Sequence, residues 1–149
     1  MSVLKEVASK PNEFQSAIAT YAAVMLSSKR KQIWELAGGI GKSRIIAALG
    51  LILLSNTECR KVHFVIPIEG LMNRDSLEFK DYWEISGNSD KIEYHYDLEF
   101  KLQMDEIVIV DEADYLMLRK PFQFKNALSK VPTICFTSTL PDQNPGTLE

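Results

Sequence analysis

Between Asn12 and Ser28 the apolar residues Phe14, Ile18, Tyr21 and Met25 recur at spacings of four, three and four, which predicts a helix burying one stripe. Pro11 and Asn12 supply its start signal. The run "SSKRK" follows; its cations complement a helix end or meet an anionic partner. "QIWELA" is short and apolar enough for a strand, and after a glycine loop "SRIIAALGLILLS" has the length and apolar content of a mostly buried helix. "VHFVIPI" (Val62 to Ile68) is apolar and β-branched on consecutive positions, as in a strand covered on both faces. "LMNRDSLEFKDYWEI" predicts an amphipathic helix, and "KIEYHYDL" alternates only partly, a weaker strand signal. "EIVIV" (Glu106 to Val110) and "PTICFTS" (Pro132 to Ser138) are two more buried strands, with a helix expected around Phe122 to Lys130. Strands alternating with helices predict an α/β fold, a parallel sheet of about five strands sandwiched between helices. "PDQNPGTLE" consists of turn formers and polar groups, so the domain is expected over residues 1–141 and a linker or tail over 142–149.

The glycine loop sits where a phosphate cradle belongs. The full phosphate-loop pattern asks for a glycine, four residues, then Gly-Lys-Ser/Thr; Gly41, Lys42 and Ser43 match, while Leu36 stands in the first glycine's place. Gly38, Gly39, Ile40 and Gly41 let backbone N–H groups converge on an anion, and Lys42, Ser43 and Arg44 open the following helix at its positive end. Lys42 is placed to neutralise β and γ phosphates, and Ser43 to put its hydroxyl on Mg²⁺. A glycine-rich turn between a strand and a helix also forms without any ligand, so this loop alone does not decide the matter.

"IVIVDEAD" adds an independent signal. Asp111 and Glu112 follow the carboxyl end of a buried strand, where parallel sheets bind ligands. Uncompensated charges there cost several kcal/mol, at roughly that order for each ion, so a cation, a metal or solvent must meet them. Mg²⁺ held by Asp111, with Glu112 orienting or deprotonating water, satisfies this demand. The other reading is a solvated turn before an exposed helix; occurring together with a Gly-Lys-Ser loop, the acidic pair favours nucleotide. Thr137, Ser138 and Thr139 end the last strand and could sense γ-phosphate or the carboxylates, although Ser and Thr also terminate strands without function.

Length and composition agree with one ordinary domain: 149 residues, 46% hydrophobic and 25% charged. Seventeen basic against twenty acidic residues leave a net charge of -3, so nucleic acid or anionic lipid would have to meet a local patch. Cys59 and Cys135 lie far apart and form no CxxC pair, which argues against zinc and against a disulfide framework. The longest apolar run, "IIAALGLILL", is about half a membrane span, so no membrane insertion is expected and the chain reads as cytoplasmic or nuclear.

With "GIGKS", "DEAD" and "TST" in that order on strand ends, the sequence resembles the first RecA-like domain of superfamily 2 helicases and translocases, across roughly Gln15 to Pro141. "FVIPIEGLMNRD" and "ELAGGIGKS" are similar to the corresponding segments of the SecA preprotein translocase motor family. The resemblance implies ATP and Mg²⁺ as cofactors, Lys42 and Glu112 as catalytic residues, Ser43 and Asp111 as metal ligands, and Thr137 to Thr139 as a coupling motif. It also implies a second RecA-like domain, in cis or trans, that completes the site with arginines, and a nucleic-acid or polypeptide track. The middle position of the third motif is Ser138 rather than alanine, and the family's adenine-reading glutamine corresponds to Gln15 or, by the SecA-like pattern, is replaced at Tyr21. Two functions are therefore carried forward: a P-loop ATPase motor domain, slow in isolation, or a non-catalytic RecA-like module that binds protein or nucleic acid.

Overall fold

A computed structural model of the chain describes residues 12–36, 40–56, 58–67, 83–84, 87 and 89–138. Five parallel strands form one sheet: β1 (Lys31–Glu35), β2 (Lys61–Val65), β3 (Ile92–His95), β4 (Glu106–Val110) and β5 (Thr133–Thr137), in the spatial order β1-β5-β4-β2-β3. Among the described residues four α-helices have defined bounds: α1 (Glu13–Val24), α2 (Lys42–Leu54), α3 (Ala113–Arg119) and α4 (Pro121–Lys130). The central strands β4 and β5 are buried at every position, in keeping with their apolar cores Ile107–Val110 and Ile134–Phe136, whereas β1 at the edge is only partly covered.

Side-chain alternation divides the core into two layers. Val62, Phe64, Ile107, Ile109, Ile134 and Phe136 face α1 and α2. Val65, Val108, Val110 and Cys135 face α3 and α4. Helices on both faces are what an all-parallel sheet needs to bury its apolar surfaces.

Helix α1 begins as the sequence suggests. Asn12 is the N-cap, accepting from the Gln15 amide at 2.8 Å while Gln15 Oε1 accepts from the Asn12 amide at 2.9 Å. Its buried stripe differs from the expected one: Phe14 and Tyr21 are 58% and 57% exposed, and the inward positions are Gln15, Ile18, Ala19 and Ala22. The reason is the close packing of α1 on α2, which selects alanine over bulky aromatics at the contact.

On α2, Gly50 marks another close approach. A Cβ there would lie 2.6 Å from Trp83 Cε2, and the Trp83 indole N–H donates to the Ala47 carbonyl at 2.9 Å. Apart from Trp83 and Glu84, the amphipathic helix expected over residues 71–85 lies outside the described residues, as does the tail over 142–149. Among the described residues no helix is long and apolar enough to cross a membrane.

Candidate functional site

Lys42, Asp111, Glu112 and Ser138 meet at the carboxyl ends of the strands. Lys42 is the first residue of α2, and its ammonium Nζ donates to Glu112 Oε1 at 2.8 Å, lies 3.0 Å from Asp111 Oδ1 and 3.5 Å from Ser138 Oγ. Three chain segments far apart in sequence thus converge on one cation. The N-cap before Lys42 is Gly41 at φ +86°, a left-handed conformation that suits glycine, and a Cβ there would also stand 3.3 Å from Gln15 Cδ. Ser43 follows at the second position of α2, partly buried, and Arg44 at the third, exposed. The first-turn amides of a helix have no intrahelical partners, so this terminus presents donors and partial positive charge to the same space.

Asp111 follows the last residue of β4 and is 2% exposed. Its amide donates to the Val65 carbonyl at 2.8 Å, and its Oδ1 accepts from the Glu112 amide at 2.8 Å. Burial pushes its carboxyl up to about 6, although Lys42 pulls the other way. Burial alone would lower Lys42, but Asp111 and Glu112 outweigh it and hold the ammonium above its ordinary value. Both shifts leave the pair ionised at neutral pH. Glu112 adopts φ 52°, ψ 46° as N-cap of α3, the only positive-φ residue besides glycine among those described. Non-glycine residues held left-handed carry strain of order 1 kcal/mol, and such strain gathers at functional sites.

The third motif is tied to the second. Thr137 Oγ1 donates to Asp114 Oδ1 at 2.9 Å, so the end of β5 is linked to the first turn of α3. Ser138 contributes through Lys42, as given above, while Thr139 lies outside the described residues. Gly38 and Gly39 also lie outside them, whereas Ile40 is partly buried and its carbonyl accepts from Gln15 Nε2 at 2.6 Å.

Gln15 is therefore a residue that motif spacing undervalued: 3% exposed, it clips the start of α1 to the glycine loop. Its signal was the Asn12–Gln15 capping-box spacing. Tyr21 takes no such position; it is exposed and packs edge-on against Trp34 at 5.9 Å. Leu36 explains the missing first glycine of the phosphate-loop pattern. It is 7% exposed in the core, and its amide donates to the Thr137 carbonyl at 2.9 Å, extending the β1–β5 ladder. A leucine there packs where a glycine would leave a void.

No protein-family model matches the chain, and no curated protein matches it by sequence. Solved structures do share its fold. The UvsW helicase of bacteriophage T4 superposes with a TM-score of 0.66 at 15% identity, over 93% of this chain and 56% of that one. The Sulfolobus solfataricus SWI2/SNF2 ATPase core, in a complex with dsDNA, superposes with a TM-score of 0.67 at 13% identity, over 93% of this chain and 34% of that one. The chain thus spans less than two thirds of either structure. The five-stranded parallel sheet with helices on both faces is the RecA-like fold of these helicase and ATPase cores.

Proposed function

We propose that the chain is a nucleoside-triphosphate-binding motor domain of the superfamily 2 kind, with Lys42 and the loop amides as its phosphate clamp. One observation carries the proposal: the Lys42 ammonium sits between Asp111 and Glu112 at the N-terminus of α2. A buried carboxylate opposite a helix N-terminus, with a lysine ammonium between them, suits a polyanion and its cation.

Each residue then has a role. The ammonium of Lys42 and the amides of Gly38 to Ser43 hold phosphate oxygens by charge-assisted hydrogen bonds. Glu112 turns its carboxylate on the attacking water, orienting it and accepting its proton. Ser43 and Asp111 fit a Mg²⁺ ion by their donor chemistry, a hydroxyl and a buried carboxylate, both hard oxygens. Magnesium, bound with the nucleotide, supplies neutralisation of the phosphate charge. The link from Thr137 to Asp114 joins the strand after which a track would be sensed to the acidic turn. Gln15 holds the phosphate loop in place through Ile40.

Hydrolysis by this chain alone is expected to be slow, because arginines from a second RecA-like domain supply orders of magnitude in rate. Nucleic acid is the favoured track over polypeptide, supported by the dsDNA complex of the Sulfolobus neighbour. Calorimetry of Mg·ATP with the native chain and Lys42→Ala tests the clamp; equal affinity in both would remove it. Single-turnover hydrolysis with Glu112→Gln separates the motor from a non-catalytic module: a rate unchanged by the substitution supports the module.

A further inference from the structure

A second cluster of ligand atoms lies on the other side of the sheet, on β2 and the edge strand β3. His63 and Glu93 are register partners on these neighbouring parallel strands, and His95 follows Glu93 by two residues, so all three side chains project from one face. Their candidate ligand atoms lie within 4.8 Å of one another. His63 Nδ1 and His95 Nε2 face each other at 2.9 Å.

We propose that His63, Glu93 and His95 form a binding site for a borderline divalent transition metal, zinc by its ligand chemistry, that pins the edge strand β3 to β2.

The surroundings prepare the ligands as metal sites require. The outer nitrogen of His63, Nε2, is 2.8 Å from Glu106 Oε1, and Glu106 is 3% exposed. A carboxylate accepting from Nε2–H leaves Nδ1 with its lone pair turned towards His95, the carboxylate–histidine arrangement that orients metal-binding imidazoles. Glu106 is itself fixed, accepting from the Arg60 guanidinium and, at 3.1 Å, from the Gln103 amide. Phe100 lies on both rings, with centroids 3.6 Å from His95 and 4.5 Å from His63, which sets their planes and excludes water from one side.

Distance and charge agree. Two nitrogens bound tetrahedrally at about 2.05 Å from zinc stand about 3.3 Å apart. The pair needs to open by a few tenths of an ångström from its present separation. Without a metal, one ring must present an N–H to the other; on binding, His95 carries that proton on Nδ1 instead, and no proton is lost from the pair. Glu93 and Glu106 together supply two negative charges against a divalent cation. Lys61 donates to Glu93, whose carboxylate has a second oxygen to offer. Glu93 is 44% exposed at its side chain, so water can fill the fourth position. Nitrogen-rich ligands of this kind select zinc, copper or nickel over magnesium.

The test uses zinc chloride with the whole metal-free chain. The expected result is one calorimetric site and a Tm raised by about 4 °C or more at a hundredfold excess over Kd, with magnesium giving neither. His95→Gln and Glu93→Gln should each weaken zinc at least tenfold, while Asp111→Asn, at the phosphate clamp, should leave zinc affinity unchanged. Glu93 is a surface residue, so Glu93→Gln keeps the test decisive if the histidine variant does not fold. Cobalt substituted for zinc should give d–d bands without sulfur-to-metal charge transfer. The proposal is overturned by an absence of zinc binding, by affinity that survives both ligand substitutions, by loss of binding in Asp111→Asn, or by a thiolate band assigning the metal to Cys59 or Cys135. Loss of binding in Asp111→Asn would move the metal to the nucleotide clamp; the other outcomes do not bear on that clamp.

Discussion

The ammonium of Lys42 lies 2.8 Å from Glu112 Oε1, across seventy residues of chain. This lysine serves as counter-ion to the acidic pair, so the proposed phosphate clamp and the proposed water-orienting group hold each other in place. On the proposed reading, nucleotide entry would exchange these contacts: Lys42 would turn to phosphate, and the carboxylates to metal and water.

Lys42→Ala is therefore expected to do two separable things. It should lower Mg·ATP affinity by more than tenfold, read by calorimetry. It should also lower stability by about 3 kcal/mol in urea unfolding, because Asp111 is left buried without its cation. Adding Asp111→Asn should restore part of the stability and none of the affinity.

Glu112→Gln keeps the size of the side chain and removes the proposed base. Nucleotide affinity should stay within threefold of the native value. Single-turnover hydrolysis should fall by about 10² or more, the range over which general bases contribute.

Thr137→Val removes the hydroxyl that donates to Asp114. A loss of about 1 kcal/mol is expected from the hydrogen bond. In a double-mutant cycle with Asp114→Ala the two substitutions should be less than additive, and additivity would show that the strand end and the acidic turn are not coupled.

Gly50→Ala sets two effects against each other. Alanine gains about 1 kcal/mol of helix propensity over glycine. Its Cβ, however, meets the Trp83 ring, and forcing a methyl into a packed core costs typically 1–3 kcal/mol, here at roughly the upper end because the ring is fully buried and hydrogen-bonded. Net destabilisation of about 1–2 kcal/mol should result, with a changed Trp fluorescence spectrum; a more stable variant would mean that Trp83 moves aside freely.

Much of the architecture was legible in the residues. "EIVIV" and "TICFT" are apolar on both faces, and only a sheet covered by helices on both sides accommodates that pattern, so β4 and β5 followed directly. The edge strands were harder: β3 alternates because solvent meets part of it, and its limits were set by pairing with β2. The stripe on α1 was misplaced because periodicity weighs Phe14 and Tyr21 by hydrophobicity, whereas the contact with α2 rewards small size. Leu36 departs from the phosphate-loop pattern because it packs at the end of the β1–β5 ladder, a place that spacing in the sequence does not encode.

Local chemistry along the chain determined which segments are strands and helices, and which residues carry a lysine, a hydroxyl or paired carboxylates at strand ends. These are properties of neighbours in sequence, written in spacing and residue type. Tertiary structure alone decided that Lys42 reaches Asp111 and Glu112, that Gln15 clips the loop through Ile40, and that His63, Glu93 and His95 share one face. Strand order and register bring those groups together, and no local pattern encodes them, because they arise from how distant segments bury their apolar faces on one another.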